Sequence, residues 1–189
     1  LDWVNNAECK LTLHTNCRNT KEIARTSARN IGLDSKTFIN SPVKGEQSFI
    51  SEYKSGNEGF ALVEKIVKHL LKEKNANAED IVILTMSDFD KSILKGKNRI
   101  CNQSLSKFLK KGSICFNTVD DFKGLEAGYL ILVDVEVAKY DNSHYRNRLY
   151  IGCSRAKQGL FMLLNNPAED DFATAMEAIE SKKKNKKNR

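Results

Sequence analysis

Hydrophobic residues along this chain occur either in short runs and alternations or at intervals of three and four residues. Runs and alternations are typical of β-strands, whereas the longer intervals place apolar side chains on one face of a helix. Asn19, with Glu22 three residues later and Gly32 at the end, gives one helix a start and a stop signal. The pattern predicts strands at residues 9–15, 47–53, 80–85, 114–119, 129–135 and 159–164, and helices at residues 19–32, 58–74, 104–111, 143–156 and 166–181.

The order of these elements favours one fold class. Strands alternate with helices, and the run from Asp80 to Thr85 is almost wholly apolar, as expected for a strand covered on both faces. We therefore expect an α/β sandwich with a mainly parallel sheet. The length of 189 residues is that of one domain, which we place at residues 1–180, followed by a basic, disordered tail at residues 181–189.

Composition and charge change this picture only slightly. Hydrophobic residues make up 40% of the chain, which is enough for a substantial core, and no apolar stretch reaches the roughly 18 residues that cross a bilayer. The formal net charge is +7, but the run KKKNKKNR at residues 182–189 alone carries six positive charges. A terminal lysine run is usually a solvated end, so charge by itself does not indicate a nucleic-acid-binding protein.

The cysteines and the N-terminus bear on the cellular compartment. The five cysteines are scattered, and no pair has the C-x-x-C spacing of a zinc site. We therefore expect no metal site and a reducing, cytoplasmic location. The first residues lack the basic and then apolar pattern of a signal peptide, and the chain begins with Leu1 rather than Met, so we expect it to be part of a longer polypeptide.

An α/β sheet suggests nucleotide chemistry, but the usual phosphate-binding loops are missing. The pattern G-x-x-x-x-G-K-[ST] does not occur, and no G-x-G-x-x-G follows a strand. The run LILVDVE resembles a strand that ends in magnesium-binding carboxylates, Asp134 and Glu136, although an ordinary strand end would look the same. We conclude that the chain does not bind ATP in the usual way by itself.

Three segments carry a family resemblance, and they occur in a fixed order: LTLHTNCRNT at residues 11–20, NTVDDFKGLE at residues 117–126 and YRNRLYIGCSRAKQGLFML at residues 145–163. Together they resemble motifs IV, V and VI of superfamily 1 helicases of the UvrD, Rep and PcrA type. Two positions depart from that pattern. Cys17 stands where the family has an aromatic residue, and Asp120 replaces the histidine of motif V, as in the T-V-D-x-F-Q-G version of the other branch of the superfamily.

The resemblance implies a RecA-like three-layer sandwich that acts as the second of two motor domains. In such helicases ATP and Mg²⁺ lie in the cleft between two RecA-like domains, and the first domain supplies the phosphate loop and the metal-binding carboxylates. The implied partners are therefore the N-terminal RecA-like domain of the same parent chain and single-stranded or partly duplex nucleic acid, DNA rather than RNA. No membrane association is implied.

The resemblance also implies roles for seven residues. Arg155 and Arg18 would neutralise charge on the γ-phosphate as catalytic residues, with Glu126, Lys123 and Gly124 on the nucleotide side. Thr118 and Asp120 would lie on the nucleic-acid side. All but Asp120 have a simpler alternative: a surface or helix-start arginine, an ion pair between Glu126 and Lys123, a turn glycine, or a structural strand threonine.

A second hypothesis is a non-catalytic, degenerate helicase-like module that binds nucleic acid or a partner protein. It predicts binding that ignores ATP and no phosphate loop upstream of Leu1. Retention of Arg18, Glu126 and Arg155 together argues against it, because a module without ATP needs none of them.

Overall fold

A computed structural model describes residues 18–32 and 41–167 of the chain. Its helices are α1 (Lys21–Asn30), α2 (Gly56–Lys72) and α3 (Ser143–Cys153), with 3₁₀ turns at Ala78–Asp80, Phe89–Lys91 and Val137–Lys139. The strands are β1 (Phe49–Tyr53), β2 (Ile81–Thr85), β3 (Arg99–Ile100), β4 (Gln103–Ser106), β5 (Ser113–Thr118), β6 (Ala127–Glu136) and β7 (Ala156–Asn165). They form one sheet in the order β1-β7-β6-β2-β5-β4-β3, in which only the β3–β4 pair is antiparallel.

Helices cover both faces of this sheet. One core cluster joins Ile23 of α1 and Leu149 of α3 to side chains of β2, β6 and β7. The other joins Val63 and Leu70 of α2 to the opposite face of the same strands. All five residues of β2 are buried, as its continuous apolar run predicts for a central strand. The three-layer α/β sandwich with a mainly parallel sheet is confirmed.

The first helix begins one residue later than its sequence signals predict. The N-cap is Thr20 rather than Asn19, and the Thr20 hydroxyl is buried with no hydrogen-bond partner in the described residues. The Asn19 side chain is instead committed to a tertiary contact described below. Gly32, at φ 62°, occupies the left-handed conformation that ends a helix, so that stop signal is confirmed.

The helix predicted at residues 104–111 is wrong. Residues Gln103–Ser106 form β4, which pairs with β5, and a two-residue turn at Cys101 and Asn102, both with positive φ, joins β3 to β4. The helical spacing of Leu105, Phe108 and Leu109 was misleading because Phe108 and Leu109 are exposed rather than packed on a core.

Some sequence predictions lie outside the described residues. These are the strand at residues 9–15, all but the first two residues of the helix at residues 166–181, the tail at residues 181–189, and Cys17. The domain limits of 1–180 therefore stay a prediction. Among the described helices, none combines the length and the apolarity that a membrane span requires.

Candidate functional site

The motif V segment runs between the two ends of the parallel strands. We call the side of the sheet where these strands end the carboxyl edge, and the side where they begin the amino edge. Thr118, the last residue of β5, is level with Thr85 at the end of β2, whereas Tyr129, near the start of β6, is level with Ile81 at the beginning of β2. Residues 119–126, here called the crossing segment, therefore pass from the carboxyl edge of the sheet to its amino edge. The two ends of this one motif consequently serve two different surfaces.

The crossing segment is anchored by buried side chains. Val119 and Phe122 are 1% and 0% exposed and belong to the core cluster that also contains Leu149 and Cys153 of α3. Gly124 has φ +86°, and a Cβ atom at this position would meet nothing within 4 Å. The glycine is therefore needed for backbone conformation rather than for space, and the segment is a fixed connection between the two edges.

Charged residues from three parts of the sequence meet at the amino edge. One carboxylate oxygen of Glu126 forms an ion pair with Nε of Arg18 at 2.8 Å, and the other forms an ion pair with Nζ of Lys157 at 2.8 Å. Hydrogen bonding from Lys157, followed by the charges of Lys157, Arg18 and Arg155, lowers the pKa of the Glu126 carboxyl. We call these four residues the amino-edge cluster. It has three cations and one anion, so it suits an anionic ligand.

The Arg155 side chain has donors that no group in the described residues uses. It follows α3, and its backbone carbonyl accepts the amide of Ala127 at 3.0 Å, next to Glu126 in the chain. Its Nε donates to the Ile151 carbonyl at 3.3 Å, while its two terminal nitrogens have no hydrogen-bond partner in the described residues. A half-buried guanidinium whose two terminal nitrogens can still donate is suited to bidentate contact with phosphate oxygens.

Asn19 ties the motif IV segment to the motif VI segment. Its side-chain amide is buried and donates to the carbonyls of Ser154 at 2.9 Å and Ala156 at 2.6 Å. These two residues flank Arg155, and Arg18 directly precedes Asn19. The bonds therefore fix the two arginines on the same edge of the sheet, although 137 residues separate Arg18 from Arg155.

Replacing this amide is expected to destabilise the domain. Asn19→Ala removes the donor from two carbonyls, and we expect the free energy of unfolding to fall by about 1–3 kcal/mol. Urea unfolding followed by circular dichroism measures this change. The matched control is Asn147→Ala on the exposed side of α3, expected within about 0.5 kcal/mol of the parent. Equal stability of the two variants would contradict the role given to Asn19.

A second charged group lies at the carboxyl edge. The Asp120 carboxylate accepts a hydrogen bond from Nε of Arg148 at 2.6 Å and pairs with Nζ of Lys123 at 3.1 Å. Arg148 also donates a hydrogen bond to the Met86 carbonyl at 2.6 Å. Desolvation would raise the pKa of Asp120, but the hydrogen bonds and charges of Lys123 and Arg148 outweigh it and hold the pKa below its ordinary value. Asp120 is thus an ionised structural partner of Arg148, which in turn ties α3 to the end of β2.

Thr118 has a structural role at this edge. Its hydroxyl oxygen accepts the amide of Asp121 at 3.1 Å, and its carbonyl accepts the amide of Phe122, which shapes the first turn of the crossing segment. The hydroxyl hydrogen remains available as a donor, and the side chain is partly exposed. Both candidate nucleic-acid residues, Thr118 and Asp120, therefore lie at the carboxyl edge.

The structure thus divides the seven candidate residues into groups. Arg18, Glu126 and Arg155 come together at the amino edge. Lys123 is paired with Asp120 at 3.1 Å, so the alternative ion pair between Glu126 and Lys123 gives way to pairs with other partners. Gly124 lies in the turn between the two groups.

Asp134, the alternative magnesium ligand, is committed inside the domain. It is 3% exposed and accepts hydrogen bonds from the Thr85 hydroxyl at 2.6 Å, the Tyr53 hydroxyl at 3.1 Å and the Ile93 amide at 3.2 Å. Glu136, at the strand end, pairs with Lys139 at 2.7 Å. The contacts of both residues fit the ordinary strand end rather than a metal site.

Sequence reasoning missed three residues of these groups: Lys157, Arg148 and the tertiary role of Asn19. Lys157 stands two residues after Arg155, but strand alternation does not tell which side chain it will reach. Arg148 reads as an ordinary exposed residue of α3, one position before the core residue Leu149. For Asn19, an N-cap signal and a buried tertiary amide look alike in sequence.

Comparisons with known proteins agree with these motifs. Residues 113–163 match the family model of the UvrD-like helicase C-terminal domain, a range that includes Thr118, Glu126 and Arg155 but not Arg18. Among solved structures, the C-terminal domain of a possible DNA helicase from Lactobacillus plantarum WCFS1 is similar, with a TM-score of 0.59 and 17% sequence identity, over 87% of this chain and 97% of that one. At this identity the likeness is one of fold. No curated protein matches the chain. The resemblance to the UvrD-like helicase C-terminal domain is therefore confirmed by the family model over residues 113–163, and the solved structure shares the fold over most of the chain.

Proposed function

We propose that this chain is the second motor domain of an ATP-dependent superfamily 1 DNA helicase or translocase. The observation that carries the proposal is the amino-edge cluster, in which two guanidinium nitrogens of Arg155 have no hydrogen-bond partner in the described residues, while Arg18 and Lys157 neutralise the carboxylate of Glu126. A structural ion pair would consume these donors. A guanidinium at the edge of one domain, with donors still available, can stabilise the charge on a γ-phosphate that another domain holds.

The amino-edge residues fit one half of a nucleotide pocket. Three cations against one carboxylate favour a triphosphate, so Arg155 and Arg18 would contact the γ-phosphate and Glu126 would accept a hydrogen bond from a nucleotide sugar hydroxyl. When bound, ATP with Mg²⁺ supplies the reactive phosphoryl group, and we assign its main binding residues to an N-terminal RecA-like domain of the same parent chain. The described residues contain no group of His, Cys, Asp and Glu side chains that could hold a metal ion.

The carboxyl-edge residues fit a nucleic-acid backbone. Thr118 offers a hydroxyl donor, and Lys123 and Arg148 give the group around Asp120 a net positive charge. Hydroxyl, amide and ammonium donors bind phosphates without regard to base sequence, as a motor that moves along any sequence requires. Asp120 would then act by holding Arg148 and Lys123 in place.

The crossing segment would link the two ligands. Because Phe122 and Val119 are packed in the core, a displacement of Glu126 at the amino edge would be carried to Thr118 at the carboxyl edge by a single short segment. Closure of the two motor domains on ATP would shift this segment, and hydrolysis would release it.

A direct test compares the chain alone with a polypeptide that also carries the first motor domain. The 189-residue chain is expected to show no ATP hydrolysis, because it supplies only part of the pocket, whereas the two-domain polypeptide is expected to hydrolyse ATP faster when single-stranded DNA is added. A coupled phosphate-release assay measures both rates. Robust hydrolysis by the chain alone, or a two-domain polypeptide without DNA-stimulated hydrolysis, would contradict the proposed function.

A further inference from the structure

A stretch of the chain outside the three motifs has an unusual charge pattern. Residues 91–119 contain seven lysines and arginines and no aspartate or glutamate, whereas the whole chain has 31 basic and 24 acidic residues. All seven basic side chains are exposed: Lys91, Lys95, Lys97, Arg99, Lys107, Lys110 and Lys111. This stretch includes the β3–β4 hairpin and the loop between β4 and β5, so the positive charge is concentrated at one end of the sheet.

An aromatic pocket opens within this basic region. Phe89 and Phe116 line it with their rings edge to face, 5.2 Å between centroids, together with Leu105. Ser106, Lys97 and Lys107 complete the lining of a pocket of about 270 Å³. The ammonium of Lys107 lies 5.4 Å from the centroid of the Phe89 ring. A pocket with apolar walls and cations at its rim is suited to a flat aromatic ring that is attached to a negatively charged group.

A third aromatic side chain stands uncovered beside this pocket. Phe108 is 74% exposed, and its neighbour Leu109 is 46% exposed. The Ser106 hydroxyl accepts the Phe108 amide at 3.2 Å, which shapes the turn where Phe108 projects. Lys107 precedes this pair in the chain, and Lys110 and Lys111 follow it. Within the described part of the chain, this exposed phenyl ring between lysines has no packing role.

The pocket lies next to the carboxyl-edge group. Lys107 Nζ is 3.9 Å from the Asp121 carboxylate, directly after Asp120 in the crossing segment. Phe89 lies in the 3₁₀ turn that follows the carboxyl end of β2, and Lys107 follows the carboxyl end of β4. A ligand that touches Thr118 can therefore continue along the same edge onto this surface.

We propose that this basic aromatic surface is a second binding site for single-stranded nucleic acid. The surface is formed by Phe89, Lys97, Leu105, Lys107, Phe108, Phe116, Lys110 and Lys111. The lysines contact phosphates, Phe108 stacks on a base, and the pocket receives a neighbouring base. The assignment rests on the proposed function and extends it, because it lengthens the path of the strand beyond Thr118. An acidic segment without apolar side chains would use the lysines but would leave the exposed ring without a partner.

Removal of the lysine charges tests the phosphate contacts. The variant Lys97→Gln/Lys110→Gln/Lys111→Gln is compared with the parent chain in fluorescence anisotropy titrations of a labelled 20-nucleotide oligothymidylate at several salt concentrations. If the three lysines contact phosphates, the slope of log K against log salt becomes shallower by about 2. The matched control replaces three exposed lysines of α2 in the same way, Lys65, Lys68 and Lys72, and should keep the parent slope.

Removal of the exposed ring tests the base contact. Phe108→Ala should weaken oligothymidylate binding by about 5- to 150-fold, and should leave binding of an abasic oligomer of equal length unchanged. The control is Phe49→Ala on β1, the outermost strand on the side of the sheet away from β3 and β4. The Phe49 ring is 44% exposed and contacts Phe161. Thermal melting by circular dichroism verifies that each variant is folded.

Each outcome decides between distinct conclusions. Parent-like binding by both surface variants would overturn this site while leaving the proposed function intact, since Thr118 and its neighbours would then account for the binding. No oligothymidylate binding by the parent chain would overturn both. Equal affinity of the parent for an oligoglutamate peptide and for oligothymidylate, with no effect of Phe108→Ala, would indicate an acidic protein partner and overturn the assignment.

Discussion

Arg155→Ala in the two-domain polypeptide is expected to lower the DNA-stimulated rate of ATP hydrolysis by about three to five orders of magnitude. An arginine that stabilises the charge of a transferring phosphoryl group contributes about that much to kcat. The side chain donates one bond, from Nε to the Ile151 carbonyl, and its terminal nitrogens have no partner in the described residues. Its loss therefore leaves the core unchanged, and the melting temperature is expected to stay near that of the parent.

Two further variants separate charge and geometry from general damage. Arg155→Lys keeps the charge but loses the planar fork, so we expect a rate between those of the parent and the alanine variant. Arg25→Ala removes an arginine of α1 that pairs with Glu22 on its own helix, and it should retain the parent rate. Steady-state kinetics should show the Arg155→Ala loss mainly in kcat. Near-parental turnover in that variant would remove Arg155 from the mechanism.

Much of the fold follows from local sequence signals. The wholly apolar run of β2 predicts a central strand, and the structure buries all five of its residues. The failure at residues 104–111 has a physical cause, because apolar spacing predicts a helix only when those side chains have a core to face. Phe108 and Leu109 face solvent instead, and two left-handed residues, Cys101 and Asn102, direct the chain into a hairpin.

The candidate site is less accessible to sequence reasoning. The family resemblance groups Arg18, Glu126 and Arg155, and the structure brings these three to the same edge of the sheet. The same resemblance gives no reason to separate Lys123 from Glu126, which are three residues apart. Their separate pairings become clear only from the strand register, because that register makes the segment between them cross the sheet. Lys157 depends on this register as well, since it meets Glu126 where β6 and β7 begin.

Asp134→Ala is expected to lower the free energy of unfolding by about 3–5 kcal/mol. Asp134 is 3% exposed and accepts hydrogen bonds from the hydroxyls of Thr85 and Tyr53 and from the Ile93 amide. Alanine leaves these three donors without their acceptor, and a buried unsatisfied group costs about 1–3 kcal/mol each before relaxation. Alanine also fits poorly at the positive φ of 58° that Asp134 adopts in the bulge of β6. Urea unfolding followed by circular dichroism measures the loss.

Two controls distinguish this structural role from metal binding at the strand end. Asp134→Asn keeps one carbonyl acceptor and tolerates positive φ, so it should cost clearly less than the alanine variant. Glu136→Ala removes a carboxylate whose ion pair in the described residues is the one with Lys139, and it should change stability by less than about 1 kcal/mol. If Asp134 served Mg²⁺ instead, Asp134→Ala would leave the metal-free chain as stable as the parent, because an uncompensated carboxylate stabilises nothing there. The three bonds inside the core point to the opposite result.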